Sequence, residues 1–121
     1  MSRRPSPLVL VVEDDHELRE ALSELIESHG VRVEAARDGA EGLDLLRAGL
    51  EPRAVFLDSR MPRLDGAGVL AAMREDPALA SIPVVWMSGD GRQRPAVAAH
   101  LEKPFELDDL VAVLGSLCEA D

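Results

Sequence analysis

An α/β sandwich on a parallel sheet is the fold class this sequence predicts. Three observations lead there. Continuous apolar runs, such as "LVLVV" (8–12) and "AVFLD" (54–58), suggest strands buried on both faces. Between the strand-like runs lie segments whose leucines recur at helical spacing. The links are short, as in consecutive βα units.

The elements follow in order. Leu8–Val12 is the first strand. "DDHELREALSELIESHG" is the first helix, with Asp15 as its N-cap, Leu18, Leu22, Leu25 and Ile26 on its inner stripe, and Gly30 at its end. "VRVEA" (31–35) alternates, as an edge strand with one wetter face does. Asp38 and Glu41 have capping-box spacing and open a helix whose inner stripe is Ala40, Leu43, Leu46 and Leu50. "AVFLD" is the third strand. "DGAGVLAAMRED" (65–76) is a helix capped by Asp65 and weakened by two glycines. "IPVVWM" (82–87) is the fourth strand, with Pro83 at its start. "HLEK" (100–103) is a short fifth. "FELDDLVAVLGSLCEA" (105–120) is a closing helix, with Leu107, Leu110, Val111, Leu114 and Leu117 inward.

Composition narrows the function classes. With 121 residues, 46% hydrophobic and 30% charged, the chain suits one globular domain, expected over 1–121 with 1–6 frayed. Its net charge of -10 argues against direct binding to nucleic acid or to an anionic membrane surface. One cysteine, Cys118, excludes an internal disulfide and fits a reducing compartment. No apolar run reaches the roughly 18 residues of a membrane span. The start "MSRRPSP" is followed by too short an apolar run for a secretory signal. A cytoplasmic protein is expected, as a monomer or weak dimer.

In an open parallel sheet, ligands bind beyond the carboxyl ends of the strands. There the sequence places Glu13, Asp14 and Asp15 after the first strand, Asp58 at the third, Ser88 after the fourth and Lys103 at the fifth. Two carboxylates about 4 Å apart repel by about 4 kcal/mol at an effective dielectric of 20. A cluster of Glu13, Asp14 and Asp58 therefore needs positive charge, which Lys103 supplies in part. The remaining donors are all oxygen, which favours Mg²⁺, Mn²⁺ or Ca²⁺ over zinc.

Four stretches, "VLVVEDD", "VFLDSRMPRLDG", "VVWMSG" and "LEKPF", occur in the order found in one family and span nearly the whole chain. On them the chain resembles the receiver domain of bacterial two-component response regulators, in its stand-alone, chemotaxis-regulator form. The resemblance implies a doubly wound, flavodoxin-like five-stranded sheet of order 2-1-3-4-5. It implies that Asp58 is the phosphoacceptor, taking a phosphoryl group from a histidine kinase or phosphotransfer protein. Asp14 and Asp58 would ligate Mg²⁺, with Glu13 holding it through a water and the backbone carbonyl of Arg60 completing the protein ligands. Glu13 stands where the family usually has Asp. Ser88 and Lys103 would contact phosphoryl oxygens, and Lys103–Pro104 would be a cis peptide. The output would be binding of a downstream protein target, with no output domain in the chain and no turnover enzyme.

Several readings stay open at this level. His100 stands where the family usually carries Tyr or Phe, three residues before the lysine. It is either part of a switch or a half-exposed strand histidine. Arg60 and Asp90 each lie two residues past a site residue and either meet across the cleft or are solvated loop charges. Arg63 is expected to face solvent. Only "GDGRQRPAVAA" (89–99) stands between the fourth strand and His100, so the family's fourth helix is expected to be shortened or absent. A receiver-like module that signals without phosphorylation is the alternative. An aspartyl-phosphate phosphatase of haloacid dehalogenase type would need a second Asp where Arg60 stands.

Overall fold

The computed structural model describes residues 6–89 and 95–119. Five strands, β1 (Leu8–Val12), β2 (Arg32–Ala36), β3 (Ala54–Asp58), β4 (Val84–Ser88) and β5 (Ala99–Glu102), pair in parallel in the order β2-β1-β3-β4-β5. Four helices connect and close them: α1 (His16–Glu27), α2 (Gly39–Arg47), α3 (Gly66–Glu75) and α4 (Leu107–Leu114). The last runs on into a π-helical turn, Gly115–Glu119. The expected fold class and strand order are those observed.

Strand alternation divides the core into two layers. Val9, Val11, Phe56, Val85, Met87 and Leu101 face α1 and α4, where Leu22, Ile26, Leu110 and Leu114 meet them. Leu10, Val12, Val55, Leu57 and Trp86 face α2 and α3, where Leu43, Leu46, Val69 and Met73 meet them. β3 is buried at every residue because it has a strand on each side and helices on both faces. β2, at the edge, carries the wetter pattern its sequence suggests.

The helix starts are those the caps mark. Asp15 accepts from the Leu18 N–H at 3.2 Å, Asp38 from Glu41 at 2.8 Å and Asp65 from Gly68 at 2.9 Å. Gly30 ends the first helical segment at φ 80, where a side chain would be strained. Two stripes are narrower than periodicity suggests. Leu107 and Val111 are exposed at 51% and 37%, and Leu25 at 39%. Val111 and Leu25 each lie one residue, about 100°, round the helix from Leu110 and Ile26, which take the inward position. Leu107 opens α4, ahead of the turn that Leu110 seats on the sheet.

Between β4 and β5, residues 95–98 form no helix, and β5 begins at Ala99. Residues 90–94, Asp90 among them, lie outside the described residues, as do 1–5. Ser6, counted with the frayed start, accepts from Arg32 Nε at 3.1 Å.

The β3–α3 connection is tied down on two sides. Arg63 is exposed, as expected, and its guanidinium also forms an ion pair with the buried carboxylate of Asp38. It does so from a left-handed backbone conformation, φ 69, which costs a non-glycine residue roughly 1–2 kcal/mol. At the start of α3, a Cβ on Gly66 would stand 2.5 Å from the Asp58 carbonyl oxygen, 2.9 Å from Ser59 Cα and 3.1 Å from the Trp86 ring. On Gly68 a Cβ would meet side chains alone: Leu64 Cδ1 at 2.4 Å, Leu64 Cγ at 3.3 Å and Asp65 Oδ1 at 3.5 Å.

These contacts predict opposite outcomes for one substitution. Gly66→Ala loses about 1–3 kcal/mol in chemical denaturation, because backbone cannot give way as a side chain can. Gly68→Ala is neutral or gains up to about 1 kcal/mol from helix propensity. Asp38 supplies a pH signature. The Glu41 N–H and the Arg63 guanidinium hold its carboxyl below the usual 3.8. Its contribution is therefore present above that pH and lost as pH falls through the lower folded value. Asp38→Ala costs about 1–2 kcal/mol at neutral pH, and the deficit shrinks in urea melts taken below pH 3.8.

Candidate functional site

The carboxyl ends of β1 and β3 are adjacent, with Val12 paired to Leu57. Glu13 and Asp14 therefore emerge beside Asp58. One ligand oxygen from each of these three carboxylates lies within 4.8 Å of the other two. Glu13 and Asp58 are buried, at 1% and 5% exposure, while Asp14 is exposed. Asp15 does not join them as a ligand. It caps α1, and its N–H donates to Glu13 Oε2 at 3.1 Å.

Lys103 reaches the group from β5. Its own N–H donates to the Ser88 carbonyl at 2.7 Å, which extends the β4–β5 ladder and aims the side chain inward. Nζ then donates to Glu13 Oε1 at 2.8 Å and to Asp58 Oδ1 at 3.1 Å. The Lys103–Pro104 peptide is cis, as the resemblance implies. Ser88 is buried one residue beyond Met87, the register partner of Asp58, at the carboxyl end of the neighbouring strand. The Arg60 N–H approaches Asp58 Oδ1 at 3.4 Å. His100 lies apart from the carboxylates along the sheet, half-buried on β5 and in register with Trp86.

The donor chemistry can be tested against a cation. Three carboxylates face one ammonium, which leaves two negative charges unmatched when all are ionised. All ligand atoms are hard oxygens, and one face of the cluster opens through the exposed Asp14. That set fits a divalent ion that keeps several of its waters.

Residues 9–115 match the family described as the response regulator receiver domain. The chain belongs to this family. A response regulator, MprA, of Mycobacterium sp. (strain KMS) is 37% identical over 116 residues, which are 90% of this chain and 49% of that protein. MprA of Mycobacterium avium (strain 104) is 35% identical over the same length. This chain thus spans about half the length of the curated relatives it matches. Among solved structures, the receiver domain of the Francisella response regulator 1452 superposes with a TM-score of 0.84 at 26% identity, covering 94% of this chain and 98% of that one. The receiver domain of the sensor histidine kinase PA1611 from Pseudomonas aeruginosa, with a magnesium ion in its active-site cleft, has the same fold: TM-score 0.86 at 21% identity, over 95% and 99% of the two chains.

Within this receiver domain, the sequence reading passed over Arg19, while Trp86 is the core and strand-to-helix contact that its place on the fourth strand suggests. The Arg19 guanidinium donates to the Glu13 carbonyl at 2.8 Å. Its spacing from the acidic pair, one helical turn past the cap, is the signal that marks it. The Trp86 indole N–H is buried without a hydrogen-bond partner among the described residues, its ring against the start of α3. Such a group costs about 1–3 kcal/mol, and no periodicity reveals it. Among the described residues, no helix is long and apolar enough to cross a membrane.

Burial dominates the electrostatics of Glu13. It pushes the carboxyl from 4.5 up to about 7, with the Asp58 charge adding to the rise and the Lys103 and Asp15 hydrogen bonds pulling against it. For Lys103, burial opposes the charge, but the hydrogen bond to Glu13 and the charge of Asp58 outweigh it and raise the ammonium above its usual value. A carboxyl raised on folding stabilises the fold while protonated and loses that contribution as pH rises through its folded value. In chelator, the protein is therefore expected to lose thermal stability between pH 4.5 and about 7. Glu13→Gln removes that part of the slope. Unchanged melting curves for the two proteins across that window would contradict the assignment.

Proposed function

We propose that this receiver domain is the phosphoacceptor of a two-component system, with Asp58 as the accepting residue. The observation that carries the reading is the buried Asp58 carboxylate, held at one oxygen by Lys103 and flanked by Glu13 and Asp14. Asp58 attacks the phosphorus of a phosphohistidine on a histidine kinase or phosphotransfer protein. A P–O bond forms, the P–N bond breaks, and the imidazole leaves with the nitrogen lone pair. Lys103 stays protonated and pairs with a phosphoryl oxygen as a point charge. Ser88 donates its hydroxyl to another. Such transfers have a loose transition state, so positioning and charge neutralisation do most of the work.

Asp14 and Asp58, with Glu13 through a water and the Arg60 carbonyl, would hold Mg²⁺. When bound, the ion neutralises charge on the phosphoryl oxygens and lets the acids crowd together. A magnesium ion occupies the cleft of the PA1611 receiver domain, whose fold is shared. The mark ends when water attacks the phosphorus, releasing inorganic phosphate and restoring the carboxylate. Between these events the domain signals by binding a protein target in the cytoplasm.

A second reading, a module that signals without phosphorylation, draws on the histidine at position 100 and the helix-free 95–98 segment. Incubation with acetyl phosphate separates the two. The phosphoacceptor reading expects a magnesium-dependent mass gain of one phosphoryl group, absent in Asp58→Asn and strongly slowed in Lys103→Ala. No gain in the wild type, or an undiminished gain in Asp58→Asn, favours the second.

A further inference from the structure

We propose that Arg19 is a positioning residue for the cation site, pinning the acidic turn from behind. The inference rests on the reading of this cleft as a magnesium-dependent phosphoacceptor site. The β1 ladder ends at Val12, and beyond it the Glu13 N–H donates to the Ala36 carbonyl at 3.1 Å. The carbonyls of the turn are met from α1. Arg19 Nη1 donates to the Glu13 carbonyl at 2.8 Å and lies 3.4 Å from that of Asp14. Peptide planarity transmits this constraint. Fixing the carbonyl of Glu13 fixes the peptide plane that leads into Asp14, and so the direction in which each Cα–Cβ bond leaves the chain.

The guanidinium is itself held. Nη2 lies 3.0 Å from His16 Nδ1. Arginine has no acceptor, so the ring nitrogen accepts, and the imidazole proton sits on Nε2, facing Glu20 Oε1 at 3.4 Å. The Arg19 backbone N–H donates to the Asp15 carbonyl at 2.8 Å, and Ser23 Oγ donates to the Arg19 carbonyl at 2.7 Å. One side chain thus joins the end of β1 to the first turn of α1.

The turn needs such a fastening. Glu13 and Asp14 are adjacent acids that face a third, and each pair at about 4 Å repels by about 4 kcal/mol at an effective dielectric of 20. Lys103 relieves Glu13 and Asp58 but has no hydrogen bond to Asp14 among those observed. Without a clamp, the turn relaxes by swinging Asp14 outward, and binding the cation must first bring it back. Lysine cannot replace the fork, because its ammonium is a single point on a flexible stem.

The test is calorimetric titration of magnesium into the wild type, Arg19→Ala, Arg19→Lys and Ser23→Ala. Loss of a group that orients metal ligands typically costs 10–100-fold in affinity. Arg19→Ala is expected to weaken magnesium binding about 10-fold, and saturating magnesium to restore its rate of phosphorylation by acetyl phosphate. Arg19→Lys falls between and carries the measurement if the alanine variant does not fold. Ser23→Ala, which loosens the same helical turn but leaves the clamp, keeps the wild-type affinity. An unchanged affinity in both Arg19 variants overturns the proposal, as does an equal loss in Ser23→Ala. A wild type that takes up neither magnesium nor a phosphoryl group overturns the phosphoacceptor reading itself, and the clamp with it.

Discussion

A single ammonium group makes the site possible. Lys103 Nζ lies between Glu13 and Asp58, two buried carboxylates that would otherwise repel one another in a poorly solvated cleft. Burial, with the Asp58 charge adding to it, raises the Glu13 carboxyl to about 7. With all three acids ionised, the pocket holds more negative charge than one lysine offsets. The fold sustains this because each participant is anchored by backbone: the two acids at neighbouring strand ends, the lysine by its N–H to the Ser88 carbonyl.

The three connections near the site are held by different devices. The β1–α1 turn is fastened by Arg19, the β3–α3 connection by the Arg63–Asp38 pair and by the absence of a side chain at Gly66, and the β5–α4 connection by the Lys103 N–H on the Ser88 carbonyl. Arg19 and Gly66 act at the backbone of the site residues, and Arg63 acts on a carboxylate outside the cluster. This arrangement separates two demands that conflict, since a side chain that touched the acids directly would compete with an incoming ligand.

The edge beyond β4 is different in its secondary structure. There a short stretch leads from Ser88 to β5, with no helix at residues 95–98, and His100 stands on the sheet face shared by Trp86. In this chain the machinery that gathers charge keeps the family pattern, while the neighbouring edge departs from it.

Much of this was legible before any coordinates. Strand and helix alternation follows from apolar periodicity, and caps at Asp15, Asp38 and Asp65 follow from local chemistry, because both depend on residues close in the chain. Candidate site residues could be named because parallel topology sends every strand's carboxyl end to one edge. What the sequence could not decide was which long side chains find which distant partners. Arg63 reads as a solvated charge until α2 is placed beside it, and Arg19 reads as one more helix arginine until the turn folds back over it. Leu107 and Val111 match the inner stripe by spacing, and only the seating of α4 on the sheet excludes them. The partner of Arg63 lies 25 residues away, those of Arg19 lie six and five residues back across a turn, and the α4 stripe is decided by a rotation of one helical step, so apolar periodicity settles none of the three.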